Sequence, residues 1–197
     1  MAAPQAFPPT DAGVSELKTL PAGVLLKAQG KGNYFEQSNG LFRPLFNYIS
    51  SHEIAMTTPV EAQIENAAMY FWVAASERAK VAGSSGGVEV VEIPERRVAS
   101  RGARGGYSAE NFAETRDELL DWLRSQSDVV PAGAPYAVYW HGPFMPGFMK
   151  RFEVHVPVKL APSAPDGARS TGRVEVGTAL GSGSCSASAN GRGLSNG

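Results

Sequence analysis

The chain has 197 residues, 43% of them hydrophobic, and a formal net charge of −1. With a pI near 6.3 it offers no basic field for collecting phosphates, so neither nucleic acid nor an anionic membrane surface is expected as a partner. The single cysteine, Cys185, excludes an internal disulfide and a four-cysteine zinc site, and no apolar run approaches the roughly 20 residues of a membrane-spanning helix.

The first eighteen residues, MAAPQAFPPTDAGVSELK, have neither a basic region nor an apolar one and contain no arginine. No targeting leader is therefore expected, and the expected compartment is the cytoplasm. Residues 1–13, proline-rich and weakly apolar, read as a flexible N-terminus, and residues 14–160 as one globular domain of ordinary size. Val24–Gln29 reads as a strand. After Asn39, residues Leu41, Phe42, Leu45, Phe46 and Ile49 form one apolar helical face, and Pro44 is tolerable only near a first turn, so a helix is expected to start close to Gly40. Strand signals follow at Val60–Ile64, where alternation is clearest, and at Met69–Ala75, Val88–Ile93 and Arg97–Arg101. Gly83–Gly87 reads as a flexible connector. A second helix has Ser108 as its N-cap and Phe112, Leu119, Leu120 and Leu123 as its apolar stripe. Tyr136–Trp140 and Phe152–Val158 read as the last strands. Residues 161–197, rich in Gly, Ser and Ala and free of aromatics, read as a disordered tail that includes Cys185.

An ungapped repeat underlies this order. LPAGVLLKAQGKGNY, Leu20–Tyr34, aligns over IPERRVASRGARGGY, Ile93–Tyr107, at a constant offset of 73, placing Lys31 on Arg104, Gly32 on Gly105 and Tyr34 on Tyr107. Chance matching in a chain rich in Gly and Pro competes with duplication; the expectation is a duplicated β-α-β-β unit. Several strands with two one-faced helices make an α+β fold, with the helices packed outside a curved antiparallel sheet.

The most specific segment is HEIAMTTPVEAQI, His52–Ile64, which follows the aromatic run SNGLFRPLFNYIS. Its Ile54, Met56, Thr57, Pro59 and Val60, placed directly after the helix, resemble the signature of the SOUL haem-binding protein family. YWHGPFMPGFMKRFEVHVPV, Tyr139–Val158, resembles the closing segment of that family. The resemblance implies two β-α-β-β units in a distorted antiparallel β-barrel flanked by two helices, as in the related gyrase-inhibitor-like effector-binding domains. It further implies a soluble, monomeric, non-enzymatic carrier or buffer that binds haem or another tetrapyrrole non-covalently in a cleft by the first helix.

A haem needs apolar walls and cations at one rim. Leu41, Phe42, Phe46 and Ile49 supply walls, with ordinary core the plainer reading for most of them, and Met56 is a wall or, more plainly, a core plug. Arg43 and Lys150, at opposite ends of the cleft implied by the family, are the expected propionate partners. One branch of the family carries an axial histidine on its first strand; Thr19 stands there in this chain, and no metal ligand is assigned. His52 reads as a helix cap or an iron ligand, and neither His141 nor His155 has ligand spacing to another histidine. The alternative function is a small-molecule hydrolase or effector-binding domain using Glu153, on the last strand, in the same cleft; an ordinary exposed strand glutamate beside Arg151 is the equal competing reading. No G-x-S-x-G elbow, H-E-x-x-H helix or P-loop is present.

Overall fold

Among the described residues, nine strands and two α-helices alternate in two similar series. The computed structural model describes residues 3–142 and 145–162; the expected tail, beyond its first two residues, lies outside them. The first series is β1 (Ser15–Leu20), β2 (Gly23–Gln29), α1 (Tyr34–Ser51), β3 (Val60–Gln63) and β4 (Ala68–Val73), followed by a 3-10 turn, Ala75–Lys80. The second is β5 (Val88–Ile93), β6 (Arg96–Arg104), α2 (Ala109–Arg124), β7 (Val129–Pro131), β8 (Tyr136–Tyr139) and β9 (Arg151–Leu160), with a 3-10 turn at Gly147–Met149 before β9.

The strands form one antiparallel sheet in the order β1-β6-β9-β8-β3-β4-β2-β5, with β7 also on β9. Read from the other end, the order repeats with each strand replaced by its counterpart in the other series: β1 by β5, β6 by β2, β9 by β4 and β8 by β3. β1 and β5 lie 73 residues apart at both their ends, and each pairs with the second strand of the other series: β1 with β6, β5 with β2. That exchange puts β1 and β5 at opposite edges with no ladder between them. The α+β class and the doubled β-α-β-β units hold, therefore, but among the described residues the sheet stays open where a barrel was expected.

Sheet pleat sorts the side chains. Phe152, Val154 and Val156 of β9 join Leu26, Phe71, Ala99 and the buried faces of α1 and α2 in the main core. Leu25, Trp72, Val98, Tyr136, Val138 and Trp140 point to the other face and make a second cluster. No helix is laid on that face; residues of the N-terminal segment cover it. Phe7, 5% exposed, stands edge-on between Trp72 (5.7 Å) and Trp140 (5.5 Å). Ala6 N donates to Thr58 O and Thr58 N to Pro4 O. The segment read as flexible is thus held to the sheet by Phe7 and by backbone hydrogen bonds, and a lone aromatic has no periodicity to announce it.

α1 begins at Tyr34, well before Gly40. Asn33 caps it, its side chain accepting from Phe35 N at 2.9 Å, and Pro44 falls inside the helix. The carbonyl of Gly40, which loses its partner there, is on an exposed turn where water can satisfy it. Ser108 caps α2 as expected, accepting from Asn111 N at 3.2 Å. No described helix is long and apolar enough to cross a membrane.

Candidate functional site

The early start of α1 creates a cleft. Its first turns place Tyr34, Phe35, Ser38 and Phe42 along one side of a cavity of about 280 Å³, at the i, i+1, i+4, i+8 spacing of one helical stripe. Val60 of β3, Met69 of β4 and Tyr139 of β8 line it from the sheet, and Met56, Thr58, Tyr107, His141 and Lys150 line it from the connections that flank these strands. Tyr139 stacks on Tyr107 (centroids 4.1 Å apart) and tilts toward Tyr34 (6.0 Å). Tyr34 and Tyr107 are partners in the 73-residue repeat, so the cleft lies where the starts of the two helices face each other across β8.

Its polar atoms are few and unevenly placed. Tyr139 is 6% exposed, and its hydroxyl has no hydrogen-bond partner, an arrangement that costs about 1–3 kcal/mol unless something supplies one. The Tyr107 hydroxyl accepts from His141 N (3.0 Å) and is 3.1 Å from both His141 O and Arg151 O. Burial pushes the Tyr34 and Tyr139 phenols well above their ordinary range and Tyr107 up to about 12, so all three keep their protons at neutral pH. Lys150 Nζ stands 4.8 Å from the centre of the Tyr107 ring. Among the described residues no carboxylate lines the cleft.

Of the residues expected to bind ligand, Phe42, Met56 and Lys150 line this cleft. Leu41 and Ile49 do not; both are buried in the main core. Phe46, 48% exposed, stacks behind Phe42 at 5.7 Å. Arg43 lies on the outer flank of α1, beside a separate shallow depression shared with His52. His52 is the C-cap of α1, its Nδ1 2.8 Å from Tyr48 O and its ring stacked on Tyr48. Among the described residues no three His, Cys, Asp or Glu side chains gather to hold a metal. Tyr34 and Phe35 are not among the expected residues, because the helix expected from near Gly40 in fact begins six residues earlier. The repeat alignment had already paired Tyr34 with Tyr107.

Glu153 is not in the cleft. The pleat that sends Phe152 and Val154 toward the helices sends Glu153 to the opposite face, beneath the N-terminal segment. Its Oε1 accepts from Thr10 N (2.8 Å) and Trp140 Nε1 (2.7 Å); its Oε2 accepts from Lys18 Nζ (2.7 Å), Ser100 Oγ (2.9 Å) and His155 Nε2 (2.7 Å). Burial raises the carboxyl, but the hydrogen bond and charge of His155 and the Lys18 ammonium outweigh it and hold Glu153 at about 2. Burial likewise holds His155 down at about 4. The neutral ring then gives its Nε2 proton to Glu153, leaving Nδ1, 3.2 Å from the Tyr136 hydroxyl, to accept. Glu61 mirrors this arrangement on β3, holding Trp72 Nε1 (2.9 Å) and Arg96 (2.6 Å). Both carboxylates tie the sheet together, and Glu153, with five donors on its two oxygens, keeps no free lone pair for a substrate.

The sequence profile of the SOUL heme-binding protein family matches residues 10–157. A search of the curated proteins gives no match. Among solved structures the chain is similar to the EcmrR C-terminal domain, at TM-score 0.58 and 14% identity over 74% of this chain and 97% of that one. It is similar to EcmrR in its complex with DNA at TM-score 0.60 and 13% identity, covering 74% of this chain and 57% of the other, little more than half its length. A hydrolase from Listeria innocua gives TM-score 0.52 and 13% identity over 76% and 94%. At such identities the likeness establishes the fold alone.

Proposed function

The chain belongs to the SOUL heme-binding protein family, and from that premise we propose that it is a non-enzymatic tetrapyrrole carrier or buffer, with the aromatic cleft between α1 and β8 as its site. The observation that carries this reading is the Tyr139 hydroxyl, buried and unpartnered among apolar walls: a ligand polar atom would satisfy it. Phe42, Phe35, Met56 and Met69 supply the flat apolar surface that a porphyrin face needs, and Lys150, with no carboxylate beside it in the cleft, favours an anionic rim. A cavity of about 280 Å³ sits at the lower bound of small-molecule pockets, so it encloses part of the ring and leaves the rest at the mouth.

A bound haem would contribute its iron and its absorbance; the protein's part is to bind, orient and shield. The three protonated tyrosines supply neutral hydrogen-bonding groups, while Phe42 and the methionines exclude water from the ring. Glu153, the residue on which a hydrolase reading depends, is committed to five donors on the other face, which supports the non-enzymatic reading. Titration of the protein with hemin and with metal-free protoporphyrin, followed by the Soret band and tryptophan quenching, tests it. Saturable binding is expected, weakened about fivefold to tenfold in Phe42→Ala through loss of one apolar wall. Absence of saturable binding by either ligand rejects the proposal.

A further inference from the structure

The β8–β9 end of the cleft has the chemistry of a carboxylate receptor. His141 takes a backbone hydrogen bond on its Nδ1, donated by Arg151 N at 3.0 Å. A backbone amide can only donate, so the Nδ1 lone pair is committed, and the single proton of the neutral imidazole resides on Nε2. A neutral histidine that ligates a metal has the reverse arrangement: a free lone pair toward the metal and its proton given outward from the other nitrogen. The His141 backbone is fixed as well, its N–H donating to the Tyr107 hydroxyl at 3.0 Å. Lys150 Nζ stands over the ring of that same tyrosine, so one side chain anchors both groups. Among the described residues Lys150 makes no ion pair, and the cleft it lines contains no Asp or Glu.

We propose that His141 and Lys150 together bind a carboxylate of the cleft ligand, His141 donating from Nε2 and serving as an orienting residue rather than as an iron ligand. The inference rests on the tetrapyrrole reading and deepens it: the ligand's acidic edge lies at the β8–β9 end, and its apolar body runs toward Phe42 and Met56. Discrimination then falls on the ligand's acid groups, whether or not the ring carries iron.

The test uses the full chain and three probes: hemin, metal-free protoporphyrin and protoporphyrin dimethyl ester, which keeps the ring and lacks the free acids. His141→Leu is expected to weaken hemin and protoporphyrin alike by about 10- to 100-fold, the worth of one hydrogen bond to a charged group, with the ester unaffected and the Soret position of bound hemin unmoved. Lys150→Met is expected to lose affinity for the two acids in the same pattern. His141→Gln, which still presents an N–H, restores most of the affinity, separating a donor role from a packing role. Unchanged melting temperatures show that the variants fold. Loss confined to hemin, with a displaced Soret band, overturns the proposal by making His141 an axial ligand; equal loss for acid and ester overturns it by making His141 a wall. Wild-type binding that His141→Leu leaves intact rejects this inference alone, whereas no binding by the wild type rejects the tetrapyrrole reading and this inference with it.

Discussion

Replacing Glu153 by Gln discriminates between a carboxylate that holds the sheet together and one that acts on a ligand. Five donors converge on its two oxygens. An amide offers one oxygen and turns an NH2 group toward the donors on the other side. Lys18, whose side chain is 13% exposed, loses its counterion without gaining water. Breaking one partner out of a buried pair costs about 3–5 kcal/mol, which for a domain of this size lowers the melting temperature by roughly 6–20 °C. The cleft lies on the other side of the sheet, so porphyrin affinity at a temperature where the variant is folded is expected to stay within about twofold of wild type. Thermal melting by circular dichroism and a porphyrin titration read the two quantities. A melting temperature lowered by less than about 2 °C refutes the structural role; affinity lost while the melting temperature holds places Glu153 in the site.

The same cluster sets the acid limit of the fold. His155 and Glu153 are both depressed, to about 4 and about 2, so on acidification the unfolded chain takes up protons before the folded one. Stability is expected to be fully present above about pH 6.5 and to fall steadily as His155 titrates in the unfolded state and then Glu153, between about 4.5 and 2; urea midpoints that stay flat from pH 7 to 4 contradict this. Phe7→Ala removes the wedge between Trp72 and Trp140 and is expected to cost about 3–5 kcal/mol, with a change in tryptophan emission; a loss under about 1 kcal/mol in urea melts means that the segment is not an integral layer. Gly102→Ala tests the same segment from the other side. A Cβ there meets the Asp11 carbonyl oxygen at 2.5 Å and that of Thr10 closer still, so about 1–3 kcal/mol of overpacking is expected, and a neutral effect refutes the close approach.

Much of the fold was legible because its signals are periodic. Ser108, the stripe from Phe112 to Leu123 and the alternation through Val60–Ile64 each place their element within a residue or two of its observed bounds. The cues that failed are those without a period. β1, SELKTL, is half-exposed along most of its length and offers no strong apolar run, and β7 is three residues long. Pro44 reads as a helix boundary in sequence, although an exposed turn tolerates it, and a helix starting near Gly40 leaves Tyr34 and Phe35 outside the expected site. Glu153 was drawn into the cleft by likeness to another domain type, whereas counting the pleat from Phe152 sends it the other way.

Duplication places Tyr34 and Tyr107 as equivalents on either side of Tyr139, but it does not make the cleft symmetric. In the first series β3 and β4 are joined by four residues, Ile64–Ala67; in the second, β8 and β9 are joined by eleven, Trp140–Lys150. The short turn carries Glu65 and Asn66, both exposed, and sends nothing into the cleft. The long connection brings His141, Gly142 and Lys150 to its mouth. Two apolar walls built from one repeated plan can hold a flat ring in more than one orientation, since hydrophobic contact is non-directional. An imidazole N–H and an ammonium supplied by one connection only remove that degeneracy, because the equivalent turn of the first series supplies no polar group to the cleft. The polar end of the site is therefore expected where the repeat is broken, in the connection whose length the duplication does not determine.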